Sequence, residues 1–180
     1  MKRCRISLIL LLASTLLLAA CSTLPPPGIQ PVSGFELTRY SGQWHEIARL
    51  DNRFERGLSE VSATYSLNAD GSIKVVNRGY EQSSASWKEA QGRALFNGDS
   101  HVASLKVSFF GPFYGGYHVV ALDPDYQWAM VAGNDRDYLW ILARDKQLPQ
   151  AVTQPLLRQA ASLGFDTASL IWVKQSAAGQ

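Results

Sequence analysis

SGQWHEIARL, residues 41–50, places a tryptophan two positions after a glycine, at the point where apolar and polar side chains begin to alternate. Tryptophan is large, costly to leave wet, and carries an N–H that needs an acceptor once buried. Gly42 ahead of it lets the chain pass closely where a side chain would not fit. The stretch reads as the start of a strand whose first large residue is enclosed, so what surrounds Trp44 decides the fold.

Working outward, period-two alternation recurs at 43–51, 59–68, 72–81, 87–96, 102–110, 116–123, 127–133 and 138–144. Turn residues punctuate these runs at Ala69-Asp70-Gly71, Gly115-Gly116, Asp123-Pro124-Asp125 and Asn134-Asp135-Arg136-Asp137. Short connections favour antiparallel neighbours. Eight such strands in one small domain hide their edges most simply by closing into an up-and-down barrel. The expected fold class is therefore all-β: an eight-stranded antiparallel barrel.

Faces sort cleanly. Val61, Ala63, Tyr65 and Leu67 oppose Ser62, Thr64 and Ser66, and Leu105, Val107 and Phe109 oppose Ser104, Lys106 and Ser108. The apolar set points into the lumen and the polar set to water. A membrane-spanning barrel would need an apolar outer band, against which Lys74 and Lys106 at mid-strand argue.

The period then changes. TQPLLRQAASLGF carries Leu156, Leu157, Ala160, Ala161 and Leu163 at helical spacing, with Gly164 as the stop. Pro155 is placed in the tolerant first turn by starting the helix at Thr153 as N-cap. SLIWVKQ, residues 169–175, reads as a short ninth strand.

At the N-terminus, Lys2, Arg3 and Arg5 precede an apolar run from Ile6 to Leu18, too short to span a bilayer comfortably and proportioned as a signal-peptide core. LLAAC, residues 17–21, resembles the lipobox of bacterial lipoprotein precursors. That resemblance implies cleavage before Cys21, a diacylglycerol on its sulfur and a palmitate-class acyl chain on its amine. Two or more chains give stable attachment where one does not. With Ser22 next, the resemblance points to the outer membrane, facing the periplasm. The expected organisation is a signal peptide over 1–20, the lipidated Cys21 with a Pro-rich flexible tether to residue 34, a domain over 35–175 and a tail over 176–180.

The sequence holds two cysteines. Cys4 leaves with the signal and Cys21 carries lipid, so no thiol remains for a disulfide, nucleophile or metal site. Removing Lys2, Arg3 and Arg5 from 17 basic residues leaves 14 against 15 acidic ones. That balance provides no electrostatic basis for nucleic-acid binding.

Two further motifs join the one around Trp44. Gly42-Gln43-Trp44, flanked by Tyr40 and Glu46-Ile47-Ala48, resembles the first signature of the lipocalins, Asp123-Pro124-Asp125-Tyr126 the second, and Arg144 after YLWILA the third. RFERG, KVSFFGPFYGGY and YLWILARD resemble the bacterial, outer-membrane lipoprotein branch. The likeness implies that Trp44 closes one end of the barrel under Arg144, a favourable cation–π pair. Parity then turns Leu142, Trp140 and Tyr138 inward, with Val61, Ala63, Tyr65, Val107, Phe109, Tyr117 and Val119. These line either a ligand cavity or a solid core, and the small residues Ala63, Ala90, Gly92, Ala94 and Ala121 favour space.

Open-end loops are expected at 51–58, 82–87, 110–116 and 134–137. In the first, Arg53 and Arg56 either meet a ligand's phosphate or pair with Asp51 and Glu55. No metal-ligand spacing joins His45, His101 and His118, no cofactor motif is readable, and no nucleophile elbow is present. The family reading implies a non-enzymatic binder of fatty acids or lysophospholipids for storage, transport or membrane maintenance. Two alternatives remain: a structural lipoprotein with a filled lumen, or a lipid-modifying enzyme for which Glu46 and Glu89 are the acids to inspect. The aromatic loop would serve a homodimer or a membrane equally well.

Overall fold

The structure, a computed structural model, describes residues 22–176. The expected signal peptide, Cys21 and residues 177–180 lie outside the described residues. Strands β1 (Gly42–Arg49), β2 (Leu58–Leu67), β3 (Ile73–Glu81), β4 (Ser86–Phe96), β5 (Ser104–Phe110), β6 (Phe113–Leu122), β7 (Trp128–Ala132) and β8 (Leu139–Ala143) follow one another as antiparallel neighbours. β1 pairs with both β2 and β8, which closes the barrel. A two-residue strand, β9 (Ile171–Trp172), adds to the outside of β1.

Single-residue bulges decide which side chains enter the lumen, because one extra residue reverses every face beyond it. In β1 the register slips between Glu46 and Ala48: Glu46 pairs with Leu142, and Arg49 with Trp140. Glu46 and Arg49 therefore face inward while Ile47 and Ala48 both pack on the outer core. In β6 the slip lies between Val119 and Ala121. Val119 stays inside, and Val120 and Ala121 turn to the outer core. Ala121 accordingly adds no space to the lumen, contrary to simple alternation.

That outer core lies under helix α2 (Gln150–Ser162), whose Thr153, Leu156 and Ala160 are buried against the wall. The helix begins three residues before the expected Thr153. Pro149 stands at its N-cap, and its carbonyl accepts from Val152 and Thr153 N–H. Pro155 thus lies inside the helix rather than in its first turn. Its ring is on the exposed side, so the missing N–H is absorbed where water reaches, and Leu156 and Ala160 hold the helix down. Gly164, at φ +86°, ends it: Phe165 N–H reaches the Ala160 carbonyl and Gly164 N–H that of Ala161. A one-turn helix that alternation does not reveal, α1 (Leu37–Tyr40), precedes β1.

The expected tether up to residue 34 is largely docked. Ile29 is buried in the outer core, and Val32 exchanges backbone bonds with Val119 and Ala103. Arg136 holds the Pro27 carbonyl at 2.9 Å and Asn97 the Thr23 carbonyl at 2.9 Å. The physical reason is apolar: Ile29 and Val32 cover wall surface that α2 leaves bare. Beneath this segment His118 is fully buried, its Nδ1 3.1 Å from Ser104 Oγ.

Two outcomes follow. Pro155→Ala restores an intrahelical bond at an exposed position and should raise stability by about 1–3 kcal/mol in urea denaturation. Burial pushes the His118 pKa down from 6.5 to about 4. Below pH 6.5 the unfolded chain takes a proton that the folded one refuses, so stability is full above that pH and declines on acidification towards pH 4. The loss should reach about 3 kcal/mol, and His118→Gln should flatten that slope.

Candidate functional site

The barrel is a cup with a sealed floor. Trp44 is fully buried, and its indole N–H donates to the Tyr40 carbonyl at 2.7 Å. The Arg144 guanidinium lies 3.9 Å from the Trp44 ring centroid. Its Nη2 donates to the carbonyls of Arg39, Tyr40 and Ser41 at 2.8, 3.1 and 3.0 Å, and Nη1 to that of Gln43 at 2.8 Å. The carbonyls of Arg39, Tyr40 and Ser41 end α1, so the charge also meets the negative end of that turn. Gly42 sits at φ +97°, and a Cβ there would stand 3.3 Å from Arg144 Nη1.

The β6–β7 turn locks onto the same end. Asp123 Oδ2 accepts from the N–H groups of Asp125 and Gln127, each at 3.1 Å. Tyr126 packs into the inner core, takes the Glu36 N–H on its hydroxyl at 3.0 Å, and has the Arg39 guanidinium 4.2 Å from its ring centroid.

Above the floor the side chains change character. Tyr40, Tyr65 and Tyr117 join their hydroxyls in a chain, at 2.6 Å between Tyr40 and Tyr117 and 2.8 Å between Tyr65 and Tyr117. Burial raises all three phenol pKa values, so all remain protonated. Three O–H donors and two hydrogen bonds leave one donor over, at the base of the cup. Val119, Val75 and Leu105 are sealed, whereas Ala63, Val107, Phe109, Tyr117 and Trp140 are only half-buried although they pack inward. A packed interior would seal them all.

Val61 faces in beside Gly79, and Tyr138 stacks on Trp140 with centroids 5.9 Å apart. Ala94 is buried low in the wall and Ala90 is exposed near the mouth. Gly92 leaves no gap: Phe109 lies on it, so closely that a Cβ would come within 2.8 Å of the ring. The third open-end loop is only Gly111-Pro112, because Phe113 and Tyr114 belong to β6.

The upper wall also holds a buried polar cluster. Glu46 and Arg49 are 3% and 2% exposed, and Arg49 Nη1 donates to Glu46 Oε1 at 2.6 Å. Glu55, from the loop across the mouth, points its carboxyl at that of Glu46. Burial, then the Glu55 charge, pushes the Glu46 carboxyl well above the usual range, against the pull of Arg49. Glu46 shares parity with Trp44 and was legible as inward. Arg49 was not, since the bulge reverses its face. Glu89 is exposed on the outer side. Arg56 pairs with Asp51 at 2.6 Å, and Arg53 covers the Phe54 ring instead of meeting Glu55. No cluster of three His, Cys, Asp or Glu side chains fit to hold a metal occurs among the described residues.

A closed barrel plugged by a tryptophan under an arginine, with a helix on one wall, is the architecture of one family, and residues 35–175 match the lipocalin-like domain. The chain belongs to the lipocalins. It is 52% identical over 166 residues to outer membrane lipoprotein Blc of Citrobacter freundii, covering 92% of this chain and 94% of that one. Blc of Vibrio cholerae is 46% identical, covering 93% and 98%. Insecticyanin of Manduca sexta superposes with a TM-score of 0.69 at 22% identity, over 86% of this lipocalin and 89% of that chain, a likeness of fold.

In this lipocalin, Arg144→Lys keeps the charge but loses the fork that reaches four carbonyls. It should cost about 2–3 kcal/mol in chemical denaturation, because carbonyls and an indole face are left without their partner.

Proposed function

We propose that this lipocalin is anchored to the outer membrane through acylated Cys21 and carries fatty acids or lysophospholipids in its cup, for storage, transport or membrane maintenance. The observation that carries the reading is the incomplete burial of the inward wall: sealed at Trp44 and Val119, half-buried at Ala63, Val107, Phe109, Tyr117 and Trp140. Such a wall offers an acyl chain apolar surface that water otherwise occupies. The names of the bacterial relatives agree with the outer-membrane setting.

The rim supports the same reading. Phe110 and Phe113 at the tip of β5–β6 are 72% and 74% exposed, and Phe54 on the mouth loop is 61% exposed. Exposed aromatics of this kind suit contact with a lipid surface from which a chain is taken up. Binding is favoured over acid–base catalysis because the buried Glu46 carboxyl is held by Arg49 at 2.6 Å.

Native mass spectrometry of the full chain, delipidated and offered a long-chain fatty acid or lysophospholipid, should give one bound lipid per barrel. Val107→Trp fills the cup and should weaken that binding at least about tenfold while leaving the thermal transition in place. Equal binding by Val107→Trp and the parent would remove the lumen as the site.

A further inference from the structure

Glu55 is an odd residue for the mouth of an apolar cup. Its loop is otherwise turned to water: Arg53, Phe54 and Arg56 are exposed, and Gly57, at φ +79°, releases the chain into β2. Yet the Glu55 carboxylate reaches inward. Its Oε2 accepts from the indole N–H of Trp140 at 2.9 Å and from Asn52 Nδ2 at 2.6 Å. Its backbone carbonyl accepts from Arg49 Nη2 at 2.7 Å. Withdrawing an acid from water is costly unless the interior is built to receive it.

This interior is so built. Trp140 belongs to the lumen wall, and its donor points at the carboxylate of a loop residue, not at another wall residue. Arg49, 2% exposed, neutralises the cluster, and its Nε has no acceptor. Around the Glu55 carboxylate there are thus two donors in use, on Trp140 and Asn52, and an unused one nearby on Arg49. Removing Glu55 leaves the indole and amide donors bare in a desolvated site.

We propose that Glu55 occupies an anion site inside the cup, and that the acidic head of an amphiphilic ligand enters with its chain below and takes the place of the Glu55 carboxylate on Trp140 and Asn52. The exchange is neutral in charge and bond for bond: one carboxylate leaves as another arrives, and the Glu55 side chain turns out to water while Asn52, 5% exposed, stays in place. The site therefore selects chains that end in an anion over neutral chains of equal length. This rests on the reading of the cup as a lipid site. A fatty-acid carboxylate and a lysophospholipid phosphate share the required chemistry, and Glu55 itself marks the carboxylate as the better fit.

The test compares three probes on the full chain: a long-chain fatty acid, the alcohol of the same length, and the lysophosphatidic acid with the same acyl group. Glu55→Ala removes the internal competitor and should tighten fatty-acid binding about tenfold while changing the alcohol by less than about twofold. Glu55→Gln, which preserves the shape of the loop, should move the acid in the same direction by less. Adding Trp140→Phe to Glu55→Ala should cancel the gain for the acid and leave the alcohol alone. If lysophosphatidic acid gains more than the fatty acid, the site stands with a phosphate as its natural occupant. Equal gains for all three probes, or no gain for either anion, overturn the anion site and leave the lipid reading intact. Failure of every probe to bind parent and variants alike overturns the lipid reading itself.

Discussion

Everything in this barrel depends on the guanidinium of Arg144 lying over Trp44. One end of a closed sheet must be stopped, or water enters from both sides and no apolar cup exists. The indole supplies area, and the guanidinium supplies donors to the carbonyls of Arg39, Tyr40, Ser41 and Gln43. A planar ion that stacks and forks at once satisfies both needs, which neither a lysine nor an apolar residue does. The clamp joins the first strand to the last, so it secures closure as well as the floor.

Above the floor the wall is not uniformly greasy. Three phenols share two hydrogen bonds, and Glu46 is paired with an arginine, Arg49, that alternation alone would put on the opposite face. Buried polar groups of this sort contribute little net stability. They do impose direction on whatever occupies the cup, because a chain can bury its apolar end anywhere but its polar end only beside a partner.

Much of the architecture was legible from the chain. The strands lie within a few residues of the runs of alternation, since a period of two is dictated by the pleat and needs no knowledge of partners. The helix was less legible at its start: Pro155 argued for a late beginning, but tertiary burial of Leu156 and Ala160 outweighed a proline on the exposed side. Docking of residues 29–32 was hidden because three prolines and a glycine read as linker until the bare wall beneath them is seen. At the site, Glu46 followed from the parity of Trp44, whereas Arg49 and the inward turn of Glu55 did not.

The amino-acid order alone determined the all-β barrel and its apolar lining, because periodicity and turn chemistry act locally along the chain, while the Trp44–Arg144 plug followed from the likeness of its motifs to those of the lipocalins. Only the tertiary structure decided which side chains cross to the other face. The slips at Glu46–Ala48 and Val119–Ala121 are set by the neighbouring strands, and each inverts the pattern beyond it. A bulge arises from the fit between two strands, so no single segment encodes it, and with it went the placement of Arg49 inside the cup and Ala121 outside.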